Sequence, residues 1–163
     1  MTLAHPLDAL GRTVEQAYTR VHREHMQALP VSNPALQVHM VGPRAWQEFA
    51  VGVLVTPWCM NVVALPRPGT PPLEAVRAGL TRELALPSGS YELMGAHLPE
   101  LGHHLAGSLF SPMLDFDSQE QAVQAAQAAL ELVLAPPPAV ADAAGSRRSF
   151  LFGARSGPRD TTP

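Results

Sequence analysis

The sequence predicts a single α+β domain, a mainly antiparallel β-sheet with N-terminal and C-terminal helices packed on it. Its most hydrophobic segment, residues 51–65, holds two arms of strand length that are rich in β-branched residues and interrupted by Pro57 and Trp58. Because proline has no N–H to donate, a central strand cannot run straight through it. We therefore predict a buried strand, a bulge or tight turn at residues 56–58, and a second buried strand beside the first. Both arms are apolar on both faces, so they should lie mid-sheet under at least one helix.

The sequence before this segment predicts a helix followed by a β-hairpin. Residues 6–28 carry apolar side chains at helical spacing, and Pro6 suits a first helical turn. Residues 36–41 alternate between apolar and polar, as in a half-buried strand. A turn over residues 42–44 would lead into one long strand over roughly 46–56, and two strands so joined form an antiparallel hairpin.

The segment after the central strands predicts a short helix and two more strands. Thr70 is placed to cap the helix, which the Leu-Pro-Ser-Gly sequence at 86–89 would end. Four apolar residues would share one face of this helix: Leu73, Val76, Leu80 and Leu84. Strands follow over 90–95 and 105–111, with a polar loop over 96–102 between them.

The sequence predicts a second long helix, which ends the domain. Asp117 with an acid three residues later has the form of a helix cap, and an alanine-rich run continues to Leu134. Three prolines at 136–138 then stop the helix. We expect residues 1–138 to form the α+β domain, and residues 139–163 to form a flexible, arginine-containing C-terminal tail.

Charge is distributed unevenly between this domain and the tail. Residues 1–145 carry 7 Arg and 13 Asp or Glu, whereas residues 146–163 carry 4 Arg and 1 Asp. An acidic body argues against a nucleic-acid partner, which would require a basic face. It permits a basic peptide or protein as partner.

Compartment can be inferred from cysteine usage and hydropathy. The single cysteine, Cys59, excludes an internal disulfide and agrees with a reducing compartment. No apolar run reaches the roughly 18 residues of a membrane helix, and no secretory signal opens the chain. We expect a cytoplasmic protein without direct membrane insertion.

No motif predicts catalysis or a bound cofactor. The sequence lacks a glycine-rich phosphate loop, a nucleophile elbow and paired zinc cysteines, and Cys59 is predicted to be a small core residue. His97, His103 and His104 lie close in sequence, but Glu100 is the only acid near them. We predict no enzyme, no cofactor and no metal. A small metal-handling or iron–sulfur-handling protein is the alternative, and metal analysis would distinguish the two.

The tail contains an unusual motif. Ser146-Arg-Arg-Ser-Phe-Leu151 has the form of the core of a twin-arginine export signal. Such a signal belongs at the N-terminus before an apolar helix, so this copy cannot serve as one. It is either a chance resemblance, or a segment that docks where such a signal binds or contacts the machinery that handles one.

Several short motifs occur together in an order that resembles the HybE family (also HupJ and HoxT), accessory chaperones of [NiFe]-hydrogenase assembly. They are Asn33-Pro-Ala-Leu36, Gly52-Val-Leu-Val-Thr-Pro-Trp58, Leu65-Pro66, Leu86-Pro-Ser-Gly89, Ser108-Leu-Phe-Ser-Pro-Met113, and Arg147-Arg148 with Leu151-Phe-Gly-Ala-Arg-Ser-Gly157. Some relatives carry a fused rubredoxin, whose iron-binding cysteine pairs this sequence lacks.

The resemblance implies a non-enzymatic role in maturation of a membrane-bound or uptake hydrogenase. The implied client is the small, iron–sulfur subunit, whose precursor bears a twin-arginine signal. The chaperone would bind this precursor or its signal and hold back export until assembly is complete. The large subunit and other maturation chaperones are further candidate partners, and a permanent structural subunit of the hydrogenase complex is another option.

These implications place a candidate groove where prolines break the sheet. Thr56, Pro57, Trp58, Phe110 and Met113 would line it, unless Trp58 and Phe110 belong to the core.

Charged residues complete the predicted site. Glu48 or Glu92 could pair with the arginines of a signal. In the tail, Arg147, Arg148, Phe150 and Leu151 copy the features of a signal, so the tail could occupy the same groove and compete.

Overall fold

Six strands form one antiparallel sheet in the computed structural model, which describes residues 5–73 and 80–136. The order across the sheet is β1-β2-β3-β6-β5-β4. The strands are β1 (His39–Trp46), β2 (Phe49–Val55), β3 (Met60–Pro66), β4 (Thr81–Leu86), β5 (Gly89–Leu98) and β6 (Gly102–Phe110). Helix α1 spans Pro6–Val21 and continues as a π-helical turn, His22–Met26, and helix α2 spans Gln119–Leu134. The α+β architecture predicted from the sequence is confirmed.

The central hairpin of β2 and β3 is the most deeply buried part of the sheet. Every residue of β2 is buried, because α1 packs on one face and α2 on the other. Val14 of α1 lies against Leu54 and Val63, whereas α2 covers the face that carries Val53 and Val62. The predicted pair of buried strands with a turn between them is confirmed.

The first hairpin turns later than the sequence predicts. Residues 42–44 do not form the turn: β1 continues through them, with a register shift between Val41 and Arg44. Such a bulge accommodates Pro43, which cannot donate to a regular ladder. The chain reverses instead at Gln47 and Glu48, where Gln47 has a positive φ of 53°.

The prediction of a helix after Thr70 is wrong over residues 81–86, because these residues form strand β4. Leu84 and Leu86 are buried while their neighbours Glu83 and Ala85 are exposed, and this period of two is that of a strand. The Thr70 hydroxyl donates to the carbonyl of Arg67, 2.7 Å away. The part of the predicted helix at residues 74–79 lies outside the described residues.

Two smaller predictions also need correction. Most of the predicted loop over 96–102 belongs to β5 and β6, whose hairpin turns at residues 99–101 before Gly102, which has a φ of 72°. The cap of α2 is Ser118, not Asp117: its hydroxyl accepts the N–H of Gln121 at 3.1 Å. The Gln121 side chain in turn accepts the N–H of Asp117 at 2.7 Å.

The sheet is rolled so that its two edge strands approach each other. The indole N–H of Trp46 on β1 donates to the carbonyl of Ala85 on β4 at 2.8 Å. The guanidinium of Arg82 on β4 lies 5.5 Å above the ring of Phe49 on β2. Helix α2 fills the concave side of this roll, and α1 covers β1, β2 and β3 on the convex side. The predicted boundary at 138/139 and the tail lie outside the described residues.

Candidate partner-binding surface

One buried side chain, Asn33, joins three chain segments at one end of the sheet. Its backbone N–H donates to the carbonyl of Pro57 at 2.9 Å, and its amide nitrogen donates to the carbonyls of Met113 at 3.0 Å and Phe116 at 2.9 Å. Its side-chain oxygen accepts the N–H of Ala35 at 2.9 Å. The loop before β1, the β2–β3 turn and the segment after β6 are therefore held together.

The β2–β3 turn places Trp58 at this end of the sheet. The Thr56 hydroxyl organises the turn by accepting the N–H groups of Trp58 at 3.2 Å and Cys59 at 2.9 Å. The half-buried indole stacks on the imidazole of His22, with ring centroids 5.7 Å apart and planes 8° from parallel. His22 is itself bonded to the Ser32 hydroxyl at 3.0 Å. One face of Trp58 is thus occupied by the helix extension.

Large apolar side chains are exposed around Asn33. Phe110 is 46% exposed and packs edge-to-face on Phe116 at 5.6 Å. Leu114, next to Met113, is 52% exposed, and Leu29 and Val31 are exposed in the loop that leads to Asn33.

Four of the six large exposed apolar side chains of the described residues therefore lie near one buried amide. Clusters of this kind mark interaction surfaces. We call this surface the apolar end; its members are Leu29, Val31, Trp58, Phe110 and Leu114.

The structure brings five of the predicted site residues together at the apolar end. Met60, which follows the Thr56–Cys59 turn, pairs with Phe110 in the β3–β6 ladder. Trp58 and Phe110 contribute exposed surface, whereas Thr56, Pro57 and Met113 are buried and lie beneath it. The sequence analysis missed Leu29, Val31 and Leu114, because their isolated apolar side chains lie in loops that only the Asn33 hydrogen bonds bring together.

The two predicted acids lie elsewhere. Glu48 precedes Phe49, which pairs with Pro66 at the opposite end of β2, about 20 Å along the strand from the Trp58 turn. Glu92 lies within β5, directly opposite Glu83 of β4. Glu48 lies in the turn between β1 and β2, so the whole length of β2 separates it from the Trp58 turn.

Two other carboxylates adjoin the apolar end. Asp115 and Asp117 are exposed on either side of Phe116, and neither side chain has an ion pair among the described residues. By contrast, Arg20 bonds the Glu100 carboxylate and lowers its pKa to about 2, and Arg44 lowers the pKa of Glu131. Asp115 and Asp117 are thus available to a cationic partner.

His104 is a structural residue of the α1–β6 contact. Its Nδ1 lies 2.9 Å from the carbonyl of Gly102, which can only accept, so Nδ1 donates and Nε2 accepts the Tyr18 hydroxyl at 2.8 Å. Burial lowers the pKa of His104, and burial followed by the nearby Cys59 raises the pKa of Tyr18 to about 12. Both groups are therefore neutral near pH 7.

Cys59 does not have the surroundings of a nucleophile. Burial raises the pKa of its thiol, and the smaller opposing effects come from hydrogen bonds with Thr56 and Asn61. Within residues 5–73 and 80–136 no three or more His, Cys, Asp or Glu side chains are grouped to hold a metal ion. In the same ranges, no helix combines the length and apolar character needed to cross a membrane.

The tail residues of the predicted site lie outside the described residues. These are Arg147, Arg148, Phe150 and Leu151.

Comparisons with known proteins agree with the fold and with the ordered motifs. The family model for the [NiFe]-hydrogenase assembly chaperone HybE matches residues 9–153. The hydrogenase expression/formation protein HoxT of Azotobacter vinelandii is 45% identical over 130 residues, which cover 79% of this chain and 83% of that protein. HupT of Azotobacter chroococcum mcd 1, also named as an expression/formation protein, is 40% identical over 150 residues, which cover 90% and 97% of the two chains.

A solved structure shows the same architecture. The solution structure of HybE from Escherichia coli matches with a TM-score of 0.63 and 27% identity, covering 90% of this chain and 91% of that one. The family model, the relatives and this fold agree, and the chain therefore belongs to the HybE family of [NiFe]-hydrogenase assembly chaperones.

Proposed function

We propose that this protein binds the twin-arginine signal of a hydrogenase small-subunit precursor at its apolar end and holds back export until assembly is complete. The observation that carries the proposal is the set of exposed apolar side chains beside two unpaired carboxylates. The role is binding rather than catalysis, and it takes place in the cytoplasm before export. The large subunit and other maturation chaperones are further partners in this scheme.

The chemistry of the signal matches this surface. A twin-arginine signal carries two guanidinium groups followed by an apolar segment. Phe110 and Leu114 offer the apolar segment a contact. Each is about half exposed, so burying what remains would contribute about half of the roughly 1.5–3 kcal/mol of a fully exposed side chain. Asp115 and Asp117 offer the arginines carboxylates, which guanidinium groups pair with in a fork. Because these carboxylates are exposed, their contribution should be salt-dependent and visible mainly in the association rate.

The buried residues explain why the surface is held in place. Phe110 rests on Phe116, whose carbonyl is bonded to Asn33. Trp58 rests on His22, which is bonded to Ser32 in the loop before Asn33. Because Phe110 and Trp58 already pack on other rings, binding would need little further ordering of these side chains. A preorganised surface of this kind binds more tightly.

Replacing both Phe110 and Leu114 with alanine is expected to weaken binding of the signal peptide at least about tenfold, the equivalent of about 1.4 kcal/mol. The reason is the lost apolar contact area at the centre of the surface. The measurement is calorimetric titration with the small subunit's signal peptide. Met94→Ala, which truncates a side chain 49% exposed on β5, is the matched control and should bind like the unsubstituted protein.

The charged half of the surface is tested in the same titration. Asp115→Asn with Asp117→Asn should weaken binding and reduce its salt dependence, because two negative charges are removed. A peptide with lysines in place of both arginines should bind more weakly but keep its salt dependence, because lysine keeps the charge and loses only the forked pairing with a carboxylate. Equal affinity of the Phe110/Leu114 variant and Met94→Ala would place the site elsewhere. A whole precursor that binds while its signal peptide does not would make the folded subunit the client instead.

We also propose that the tail competes for this surface, because Arg147, Arg148, Phe150 and Leu151 reproduce the signal's chemistry. A tethered competitor acts at a high effective concentration, so deletion of residues 140–163 should tighten peptide binding about threefold or more. Arg147→Gln with Arg148→Gln in the full chain is the control and should reproduce the effect. Weaker binding after deletion would instead make the tail a contact arm for the client.

A further inference from the structure

Two histidines face each other across the β5–β6 hairpin. His97 and His103 are direct partners in the antiparallel ladder, and their ring centroids lie 4.6 Å apart with planes tilted by 53°. Directly opposed residues of such a ladder have Cβ atoms about 4.5–5.5 Å apart. The two imidazoles are thus adjacent by virtue of backbone register, on the opposite face of β6 from the buried His104.

This spacing suits a shared metal ion. With metal–nitrogen bonds of about 2.0–2.1 Å, two imidazoles on one ion at right or tetrahedral angles have centroids about 4.5–5.2 Å apart. The observed separation lies in that range without movement of the backbone.

Within residues 5–73 and 80–136, the His97 and His103 rings contact each other but take part in no hydrogen bond or ion pair. Neither imidazole has a hydrogen bond or ion pair there, although His22, His39 and His104 each have one. His97 is exposed and His103 is partly exposed, so an ion from solution can reach them.

The hairpin itself is anchored. Glu100, which lies in the turn of this hairpin, accepts a hydrogen bond from the guanidinium of Arg20 on α1 at 2.9 Å. The backbone N–H of Leu101 donates to the carbonyl of Leu98 at 3.0 Å. A rigid platform preorganises the two ligands and reduces the cost of bringing them together.

We infer that His97 and His103 form a two-histidine site for a first-row divalent cation of the class that favours imidazole, which comprises Ni²⁺, Cu²⁺ and Zn²⁺. Two protein nitrogens fill only part of the coordination shell, so the remaining positions stay open to water or to a ligand from a partner. Such a site holds its ion exchangeably, unlike a closed structural site. The inference is independent of signal-peptide binding.

The test is calorimetric titration of the untagged full chain with NiCl₂ and with ZnCl₂ at about pH 7.5, with thermal unfolding as a second readout. An ion that binds only the folded hairpin raises the melting temperature. We expect one ion per chain and a saturable shift, with no shift from Mg²⁺, which prefers oxygen ligands. His97→Ala and His103→Ala should each lower the affinity at least tenfold.

His25→Ala is the matched control, since it removes an exposed histidine from the helix extension, and it should leave both readouts unchanged. His97→Gln and His103→Gln repeat the test in case alanine loosens the hairpin, and circular dichroism checks that each variant is folded. The same affinity in the unsubstituted protein and in both His97 and His103 variants would overturn the site. Absence of any Ni²⁺ or Zn²⁺ binding by the unsubstituted protein would overturn it as well.

Discussion

Replacing Asn33 with aspartate is expected to lower the free energy of unfolding by about 3 kcal/mol. The change removes the N–H donors from two carbonyls, those of Met113 and Phe116, and places a carboxylate oxygen against them at a position only 6% exposed. Leaving a buried acceptor without its donor costs about 1–3 kcal/mol, and burying an uncompensated charge adds to that cost. Denaturant unfolding followed by circular dichroism measures the difference.

Gln37→Glu makes the same amide-to-carboxylate change on an exposed side chain nearby, and its effect should stay within about 0.5 kcal/mol. The Asn33→Asp variant should also bind the signal peptide more weakly than the Gln37→Glu variant at temperatures where both are folded, because Asn33 holds the segments that carry the apolar end. A loss of stability no larger than that of Gln37→Glu would show that these hydrogen bonds contribute little.

Gly52→Ala should destabilise the protein by about 3 kcal/mol, at the upper end of the usual range for overpacking a core. A Cβ at this position would lie 2.5 Å from Met40 Cε and 2.7 Å from the carbonyl oxygen of Val41. A side chain could move away from the first contact, but the second is with backbone of the paired strand. Denaturant unfolding again gives the measurement.

Two comparisons separate the causes. The double variant Gly52→Ala with Met40→Ala should lose less free energy of unfolding than the two single variants lose together, because the contact with the methionine disappears. It should still be less stable than Met40→Ala alone, because the contact with the Val41 carbonyl remains. At Gly69, where φ is +89° and no atom lies within 4 Å of an added Cβ, alanine should cost only the backbone strain of about 1–2 kcal/mol. If Gly52→Ala costs nothing in the Met40→Ala background, the contact with Val41 contributes nothing.

The candidate site could be predicted only in part, because its members interact over long sequence distances. The prolines after Thr56 and Ser111 correctly marked where the sheet ends, and the β3–β6 register then placed Trp58 and Phe110 at the same end. Glu48 lies beyond the opposite end of β2 and Glu92 lies within β5, and their distance from Trp58 follows from strand register, which no local pattern in the sequence reveals. The relation of Asp115 and Asp117 to Trp58 depends on hydrogen bonds from Asn33, some 80 residues earlier in the chain.

The three clustered histidines also show that strand register decides what sequence proximity cannot. In the sequence His97, His103 and His104 form one group, but the alternation of a strand sends the last two to opposite faces. His104 is buried against Tyr18, and the cross-strand register leaves His97 facing His103.

Local pattern was sufficient for the central hairpin, both long helices and the α+β class, because each of these elements buries a long apolar face whose period is visible over a few turns or strand residues. Tertiary structure decided the rest. Residues 81–86 also fit a helical pattern, and only pairing with β5 makes them a strand. Pro43 could end a strand or sit in a bulge, and the packing of β1 between its neighbour β2 and the two helices selects the bulge. In both cases the local free-energy difference is small, and contacts with distant residues determine which conformation is stable.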